Sequence, residues 1–150
     1  MPKIYASFCT DIIHEGHLNI LRKANEYGDV IAGVLSDEAM VRFDRFSTIS
    51  IEDRIQILKD TGLVSDVIIQ PTISYGWVIE NLKPDYIVHG DNWKNEPQYA
   101  IREEVIKRLA EYGGKLIEIP YTYNEEVRRI DKIYREKLSM PEFRRGRLKK

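Results

Sequence analysis

The chain has 150 residues, 43% of them hydrophobic and 31% charged, which is the composition of one globular domain and not of a disordered chain. Its one cysteine, Cys9, excludes an internal disulfide and a cysteine zinc site. No stretch reaches the roughly 20 apolar residues of a membrane span, and the first residues show no signal-peptide core, so we expect a cytoplasmic protein.

The net charge of −1 conceals an asymmetric distribution along the chain. Residues 127–150 contain ten Lys and Arg against three acids, a net charge of +7, whereas the first 126 residues carry a net charge of −8. Such a basic segment can bind phosphate ligands, nucleic acid, a membrane surface or an acidic domain, or it can lie solvated. We predict that neither nucleic acid nor a membrane is a partner.

Runs of β-forming residues alternate with helical patterns. In chain order the patterns predict a strand over 3–8, a helix over 16–27, a strand over 30–35, a short helix from 37, a helix over 51–61, a strand over 66–70, a helix over 75–82, a strand over 85–89, a helix over 98–112, a strand over 115–119 and a helix over 125–138. Ser50 is the expected cap of the helix over 51–61. The alternation predicts an α/β fold, a Rossmann-like parallel five-stranded sheet with helices on both faces.

Two histidines flank a glycine in the segment after the first predicted strand, where a ligand of such a sheet would lie. Gly16 lets other backbone approach closely, and the start of the following helix offers free N–H groups to a phosphate. His14 and His17 are three residues apart, so both rings can donate to phosphate oxygens during phosphoryl or nucleotidyl transfer. The alternatives are two surface histidines or a metal pair, and the metal pair lacks a third ligand at a useful spacing.

The fourth predicted strand also ends in a polar loop, which runs from His89 through Gly90 and Asp91 to Trp93. A glycine, polar side chains and an aromatic ring at the end of a strand suit a contact with a ribose or a base. The alternative is an ordinary turn with Trp93 packed on the core.

Three segments resemble, in order and spacing, the motifs of a known family. Asp11–His17 resembles an H-x-G-H signature, Ile51–Arg54 resembles a helix that carries a characteristic arginine, and Val88–Trp93 looks like a G-D-x-W segment. These are motifs of the cytidylyltransferase-like nucleotidyltransferases, and the resemblance extends from Met1 to about Tyr123. The subgroups that look nearest are the small glycerol-3-phosphate cytidylyltransferases and the cytidylyltransferase domains fused ahead of phosphoenolpyruvate mutase in phosphonate pathways.

The segments Asp11–His14, Lys83–Tyr86 and Pro141–Arg144 look most like the fused subgroup. Residues 1–138 would then form the nucleotidyltransferase domain, and 139–150 would be a basic tail or the start of an interdomain linker. The resemblance therefore implies a fused or associated mutase-like domain as a possible partner. It also implies a homodimer, whose contact we place at the helix over 51–61 and at 63–66, where apolar side chains exceed the need of one sheet face.

The resemblance implies a cytidylyltransferase, in which an oxygen of a small phosphate or phosphonate attacks the α-phosphate of CTP and releases pyrophosphate. Mg²⁺ would bridge the phosphate oxygens, with no metal-ligand set in the protein. The implied catalytic residues are His14, His17 and Arg54. The implied nucleotide-binding residues are Phe8, Cys9, Thr10, Asp11, Gly16, His89, Gly90, Asp91, Trp93, Arg128 and Arg129.

Two segments depart from the family pattern. The lysine usually found after the second strand falls on Asp44 or near Arg45, so Arg42 or Arg45 is expected to bind the acceptor. The late G-I-S-S/T-T phosphate loop is replaced by a segment with Glu125 and Glu126, which Arg128 and Arg129 are expected to offset. The departures favour a second hypothesis, a catalytically weakened nucleotide-binding or scaffold domain. A third hypothesis is an adenylyltransferase of the same fold, which differs only in the base.

Overall fold

The predicted strands and helices are confirmed, and their ends shift by at most two residues. The computed structural model describes residues 2–8, 13–42, 47, 49–94, 99–120 and 124–138. The elements are β1 (Lys3–Phe8), α1 (Glu15–Asn25), β2 (Asp29–Leu35), α2 (Asp37–Arg42), α3 (Ile51–Asp60), β3 (Asp66–Gln70), α4 (Gly76–Leu82), β4 (Tyr86–Gly90), α5 (Tyr99–Ala110), β5 (Lys115–Ile119) and α6 (Glu125–Leu138). A short 3-10 helix, Asp91–Lys94, follows β4 where the sequence predicts a loop.

The five strands form one parallel sheet in the order β3-β2-β1-β4-β5, which confirms the predicted Rossmann-like α/β fold. The direction of winding reverses between β1 and β4, and the loops that leave these two strands therefore diverge. β1 pairs with β2 at six positions but with β4 at only two, Ile4–Tyr86 and Tyr5–Ile87. Pairing between β1 and β4 thus ends at Tyr5 and Ile87, and ligands of such sheets bind outside the carboxyl ends of two strands related in this way.

Helices cover both faces of the sheet, as the apolar strands require. Side chains alternate between the faces, so that Ile4 and Ala6 of β1 join one core cluster and Tyr5 joins the other. Leu21 of α1 and Leu58 of α3 pack in the first cluster. Two neighbouring helices, α4 and α5, supply the second with Val78, Ile79, Val105 and Leu109.

A buried hydrogen-bond chain crosses the sheet beneath its carboxyl edge. The Tyr5 hydroxyl passes over Gly33 of β2 and donates to Gln70 Oε1 of β3 at 2.6 Å. A Cβ at Gly33 would overlap that hydroxyl, so only glycine fits there. Gln70 in turn donates to the Thr72 carbonyl at 2.7 Å, and burial raises the pKa of Tyr5, which keeps its hydroxyl a donor. These hydrogen bonds therefore fix the position of the segment that follows β3.

The helix starts follow from local chemistry. Ser50 caps α3 as predicted, because its hydroxyl accepts the Asp53 N–H at 3.1 Å.

Among the described helices, none has the length and apolar character to span a membrane. Several predicted positions lie outside the described residues, namely Cys9, Thr10, Asp11, Asp44, Arg45 and the segment 139–150.

Candidate functional site

The start of α1 is organised by its two histidines. His14 is the N-cap residue, and its Nδ1 accepts the Gly16 N–H at 3.0 Å. The His14 N–H donates to Nδ1 of His17 at 3.1 Å. Two helix N–H groups are thus satisfied reciprocally, in the geometry of a capping box. The sequence analysis predicts a phosphate-binding role for these residues but not the capping role, although their spacing of three at a helix start was the signal for it.

The capping bonds determine where each histidine carries its proton. Because Nδ1 of both His14 and His17 accepts a backbone N–H, the proton of each neutral ring lies on Nε2. The rings stack with centroids 4.0 Å apart and planes inclined by 27°, and the edge of the His17 ring meets Phe8 at 5.7 Å. His14 is buried, with 6% of its surface exposed. The helix start therefore holds two oriented rings whose Nε2–H groups suit oxyanions.

A second histidine site lies at the end of β4, next to β1 in the sheet. Nδ1 of His89 lies 2.7 Å from the Gly90 carbonyl oxygen, which can only accept, so Nδ1 carries the proton and Nε2 is an acceptor. Loss of water around the ring lowers the pKa of His89 to about 4, although the Gly90 carbonyl and Glu118 act in the opposite direction. His89 is therefore neutral at pH 7.

Trp93 supports this histidine from within the core. Its ring is stacked on His89 with centroids 3.7 Å apart and planes 5° apart, and only 1% of its surface is exposed. The indole Nε1–H donates to Oε2 of Glu118 in β5 at 2.9 Å. The alternative interpretation of the sequence, in which Trp93 packs on the core, predicts this arrangement. Glu118 is a residue that the sequence analysis missed, and the signal for it was a carboxylate inside an otherwise apolar strand.

Arg54 is buried, with 2% of its surface exposed. Its Nη1 donates to the Leu35 carbonyl at 2.8 Å, and its Nη2 donates to Asp37 Oδ1 at 2.7 Å. Its Nη1 also lies 2.9 Å from the sulfur of Met40, and its Nε has no hydrogen-bond partner. The predicted catalytic arginine is thus placed where α3 meets the end of β2 and the start of α2.

The other predicted arginines that the structure describes lie on the surface. Arg42 is exposed in the last turn of α2, and Arg128 and Arg129 are exposed near the start of α6. The Asn124 side chain accepts the Val127 N–H at 2.8 Å and so caps α6 from within the chain. The acidic Glu125 and Glu126 occupy the first turn of this helix and are also exposed.

The fold brings the predicted nucleotide residues of two loops to one edge of the sheet. Phe8 and Gly90 end the neighbouring strands β1 and β4, and both are buried. Gly16 lies buried in the first turn of α1, and Asp91 begins the 3-10 helix. Within the described parts of the chain, no group of three or more His, Cys, Asp or Glu side chains could hold a metal ion. The histidines that follow β1 and the polar residues at the end of β4 therefore lie at the same edge of the sheet.

The chain is similar in sequence to several curated proteins. The chain is 31% identical over 126 residues to the FAD synthase of Thermococcus sibiricus, covering 82% of this chain and 83% of that protein. It is 33% identical over 129 residues to the FAD synthase of Pyrococcus horikoshii, with the same two coverages. It is 29% identical over 120 residues to the bifunctional protein HldE of Desulfatibacillum aliphaticivorans, covering 78% of this chain but 24% of that protein.

These relatives do not support the predicted nearness to the glycerol-3-phosphate cytidylyltransferases or to phosphonate-pathway proteins. They also give no support to a mutase-like partner domain, although HldE is a longer, bifunctional protein in which the matching segment is about a quarter of the length.

Solved structures support the fold. A lipopolysaccharide core biosynthesis protein from Thermoplasma volcanium superposes with a TM-score of 0.69 at 19% identity, covering 82% of this chain and 99% of that one. A pantoate-β-alanine ligase from Francisella tularensis, complexed with β,γ-ATP and β-alanine, superposes with a TM-score of 0.59 at 14% identity, covering 89% and 70%. Identities this low establish a shared fold alone.

The family follows from the match of sequence along most of the chain. Residues 9–137 match the family described as Cytidylyltransferase-like, a span that includes both histidines of α1, Arg54 and the loop after β4. The chain therefore belongs to the cytidylyltransferase-like family, which is a family of nucleotidyltransferases.

Proposed function

We propose that the chain is an adenylyltransferase that transfers AMP from ATP to a small phosphate-bearing acceptor and releases pyrophosphate. The observation that carries this proposal is the His14–His17 pair at the start of α1, in which each Nδ1 accepts a backbone N–H, so that the proton of each neutral ring lies on Nε2. The choice of ATP over the predicted CTP is supported by the two FAD synthases, since FAD contains an adenylate half and these proteins cover most of the chain.

The reaction needs no covalent intermediate with the protein. An oxygen of the acceptor forms a bond to the α-phosphorus, and the bond from that phosphorus to the bridging oxygen of the β-phosphate breaks. Pyrophosphate leaves with the electron pair of that bond. Negative charge accumulates on the phosphate oxygens during this step, so donors held in place beforehand lower the barrier. His14 and His17 supply such donors next to the helix N-terminus.

Mg²⁺ would accompany the nucleotide and neutralise part of its charge. Among the described residues no cluster of metal ligands is present, so the ion would be held mainly by phosphate oxygens and water, as is usual for Mg²⁺ on nucleotides. The chain's own contribution is then to orient the phosphates.

The loop after β4 would contact the nucleoside. Nε2 of His89 is an acceptor at neutral pH, and the carboxylate of Asp91 is another, so both suit ribose hydroxyls or the amino group of a base. Adenine and cytosine both carry an exocyclic amino group, and these acceptors alone would not separate ATP from CTP.

Arg54 would act at a distance from the nucleotide. Its guanidinium is bound to Leu35 and Asp37 and would hold the segment after β2, which leads to Arg42. Arg42 is exposed and is proposed, with Arg45, to receive the anionic acceptor. In this assignment Arg54 is a positioning residue.

Pyrophosphate release decides between the candidate functions. The protein would be incubated with Mg²⁺ and each of ATP, CTP, GTP and UTP, against FMN, a sugar 1-phosphate, glycerol 3-phosphate and hydroxyethylphosphonate. Release with ATP and one acceptor, lost in His17→Ala, supports adenylyl transfer. Release with CTP alone would restore the cytidylyltransferase prediction. No release under any combination, with ATP still bound in a titration, would favour the nucleotide-binding scaffold.

A further inference from the structure

We propose that Glu118 is a positioning residue of the nucleotide site, acting through Trp93 and His89; this inference rests on the proposed function. Glu118 lies in β5, directly beside His89 of β4 in the parallel register. It belongs to none of the motifs that resemble the family. Its importance follows from what its carboxylate holds.

Both oxygens of the Glu118 carboxylate accept hydrogen bonds. Nε and Nη2 of Arg102 donate to Oε2 and Oε1 at 2.9 and 2.8 Å, a two-point contact between charged groups. The Trp93 indole donates to Oε2 at 2.9 Å. The side chains of Glu118 and Arg102 are 17% and 21% exposed, so water screens this pair less than a surface pair. The Glu118 carboxylate thus links β5 to α5 and to the 3-10 helix.

The same contacts reach the nucleotide site through Trp93. Trp93 lies in the 3-10 helix that begins with Asp91, so fixing its indole fixes that turn. The His89 ring rests flat against the Trp93 ring, and its Nδ1–H is bound to Gly90. Displacement of Trp93 would therefore free the His89 ring and move the Asp91 backbone. Glu118 itself need not touch the nucleotide for this effect.

A contribution to stability alone is the competing explanation, and it makes different predictions. It would lower the resistance to denaturant of a Glu118 variant but leave nucleotide affinity and the Trp93 environment of the folded variant unchanged. The chain has two tryptophans, and Trp77 is 44% exposed. A Trp77→Phe background therefore makes Trp93 the single source of indole emission.

The test compares Glu118→Gln with Glu103→Gln in that background. Glu118→Gln keeps an acceptor for the indole but loses the charge and the two-point contact with Arg102. Glu103 is the matched control, because its Oε2 lies 3.6 Å from Nη1 of the same arginine and its Oε1 accepts the Tyr99 hydroxyl, whereas the Trp93 indole donates to Glu118. Three quantities are measured, namely the KM and kcat for ATP, the Kd for Mg²⁺-ATP by calorimetry, and the Trp93 emission with its quenching by acrylamide.

We expect Glu118→Gln to raise the KM and Kd for ATP about tenfold, with a smaller change in kcat, as loss of a charge-assisted contact predicts. Trp93 emission should shift to the red and become easier to quench, whereas Glu103→Gln should leave all three within about twofold of the background. A folded Glu118→Gln protein with unchanged Kd and emission overturns the proposal.

Two further measurements distinguish a failure of this proposal from a failure of the variant to fold and from a failure of the proposed function. If Glu118→Gln does not fold, Arg102→Lys retains the charge without the two-point contact, and an unchanged Kd in that variant also overturns the proposal. If the parent protein releases no pyrophosphate from any nucleotide, the proposed function fails. The Kd and emission measurements then still decide whether Glu118 positions a nucleotide-binding site.

Discussion

The imidazole rings of His14 and His17 lie face to face, 4.0 Å apart, while Nδ1 of His17 accepts the backbone N–H of His14. His17, in the first turn of α1, thus orients His14, which caps the helix. Capping of the helix and presentation of the Nε2–H groups depend on the same bonds. Changes at this pair should therefore affect both helix stability and turnover, in proportions that differ between the two residues.

The first prediction concerns turnover. Replacing either His14 or His17 with Ala should lower kcat by about 10²–10³, the scale for losing one donor that stabilises developing charge. Steady-state pyrophosphate release measures it. His14→Ala should also lose about 1 kcal/mol of unfolding free energy, because the N-cap acceptor disappears.

His14→Asn separates these effects, since Asn is a good N-cap but does not place a ring at the phosphate. It should regain most of the stability that His14→Ala loses and none of its turnover. Turnover within twofold of the parent in both alanine variants would contradict the proposed role of the pair.

The second prediction concerns Arg54. Arg54→Leu should lower the unfolding free energy by about 2–3 kcal/mol, because the Leu35 carbonyl loses a charged donor inside the protein. The midpoint of urea unfolding measures it. Asp37→Asn is the control, and its cost should stay below about 1 kcal/mol, because the Asp37 side chain is 67% exposed. An Arg54→Lys protein that keeps its stability but loses turnover a hundredfold would show that Arg54 touches the substrate.

The third prediction concerns the basic start of α6. The double variant Arg128→Ala, Arg129→Ala should weaken nucleotide binding by about 1–3 kcal/mol, the range for charge-assisted hydrogen bonds. Both side chains are exposed, so the fold should be preserved. Calorimetric titration with ATP and with CTP, each with Mg²⁺, measures the change, and Lys107→Ala, at an exposed position of α5, is the control. An unchanged Kd would mean that these arginines do not replace the missing phosphate loop.

The fourth prediction concerns pH. The pKa of His89 is lowered to about 4 in the folded protein, against about 6.5 in the unfolded chain. The unfolded state therefore binds more protons between these values, and stability should fall as the pH falls from about 6.5 towards 4. The residue as a whole is half-buried, so we expect His89 to contribute about 1–2 kcal/mol to this loss.

His89→Phe keeps an aromatic ring for Trp93 to stack on but cannot bind the proton. Unfolding free energies of both proteins at pH 7 and pH 4.5 give the contribution of His89 by difference, since other titrating groups are shared. The same pH dependence in the two proteins would contradict the neutral, desolvated ring.

The fifth prediction concerns association. β3 is at the edge of the sheet, and Ile69 of β3 and Ile57 of α3 are 45% and 37% exposed. Ile57 lies on the helix where the sequence analysis places a dimer contact, and Ile69 lies in the strand that continues from the predicted contact segment 63–66. We expect a dimer in sedimentation that Ile69→Lys converts to monomer, because a charge on an edge strand opposes pairing. A parent protein with a concentration-independent monomer mass would contradict it.

The sequence by itself determined the elements and the fold class, and it predicts the location of the site. Alternation of apolar residues depends on local geometry, so β1, β3, β5 and α6 are confirmed with the predicted bounds. The glycine and histidines at the start of α1 predict a phosphate-binding position for the same reason, since capping and helix polarity involve neighbours within four residues.

Only the tertiary structure decided which side chains support the site. Trp93 and Glu118 are 25 residues apart, and Tyr5 and Gln70 are 65 apart. Their contacts exist only because β4 lies beside β5 and because β2 alone separates β1 from β3. Periodicity shows that a strand residue faces a core but not which distant group it meets there. The sequence therefore suggests that Trp93 contacts the nucleotide, whereas in the fold Trp93 is buried and packs against His89. The difference arises because the packing of the whole sheet decides which groups lie next to Trp93.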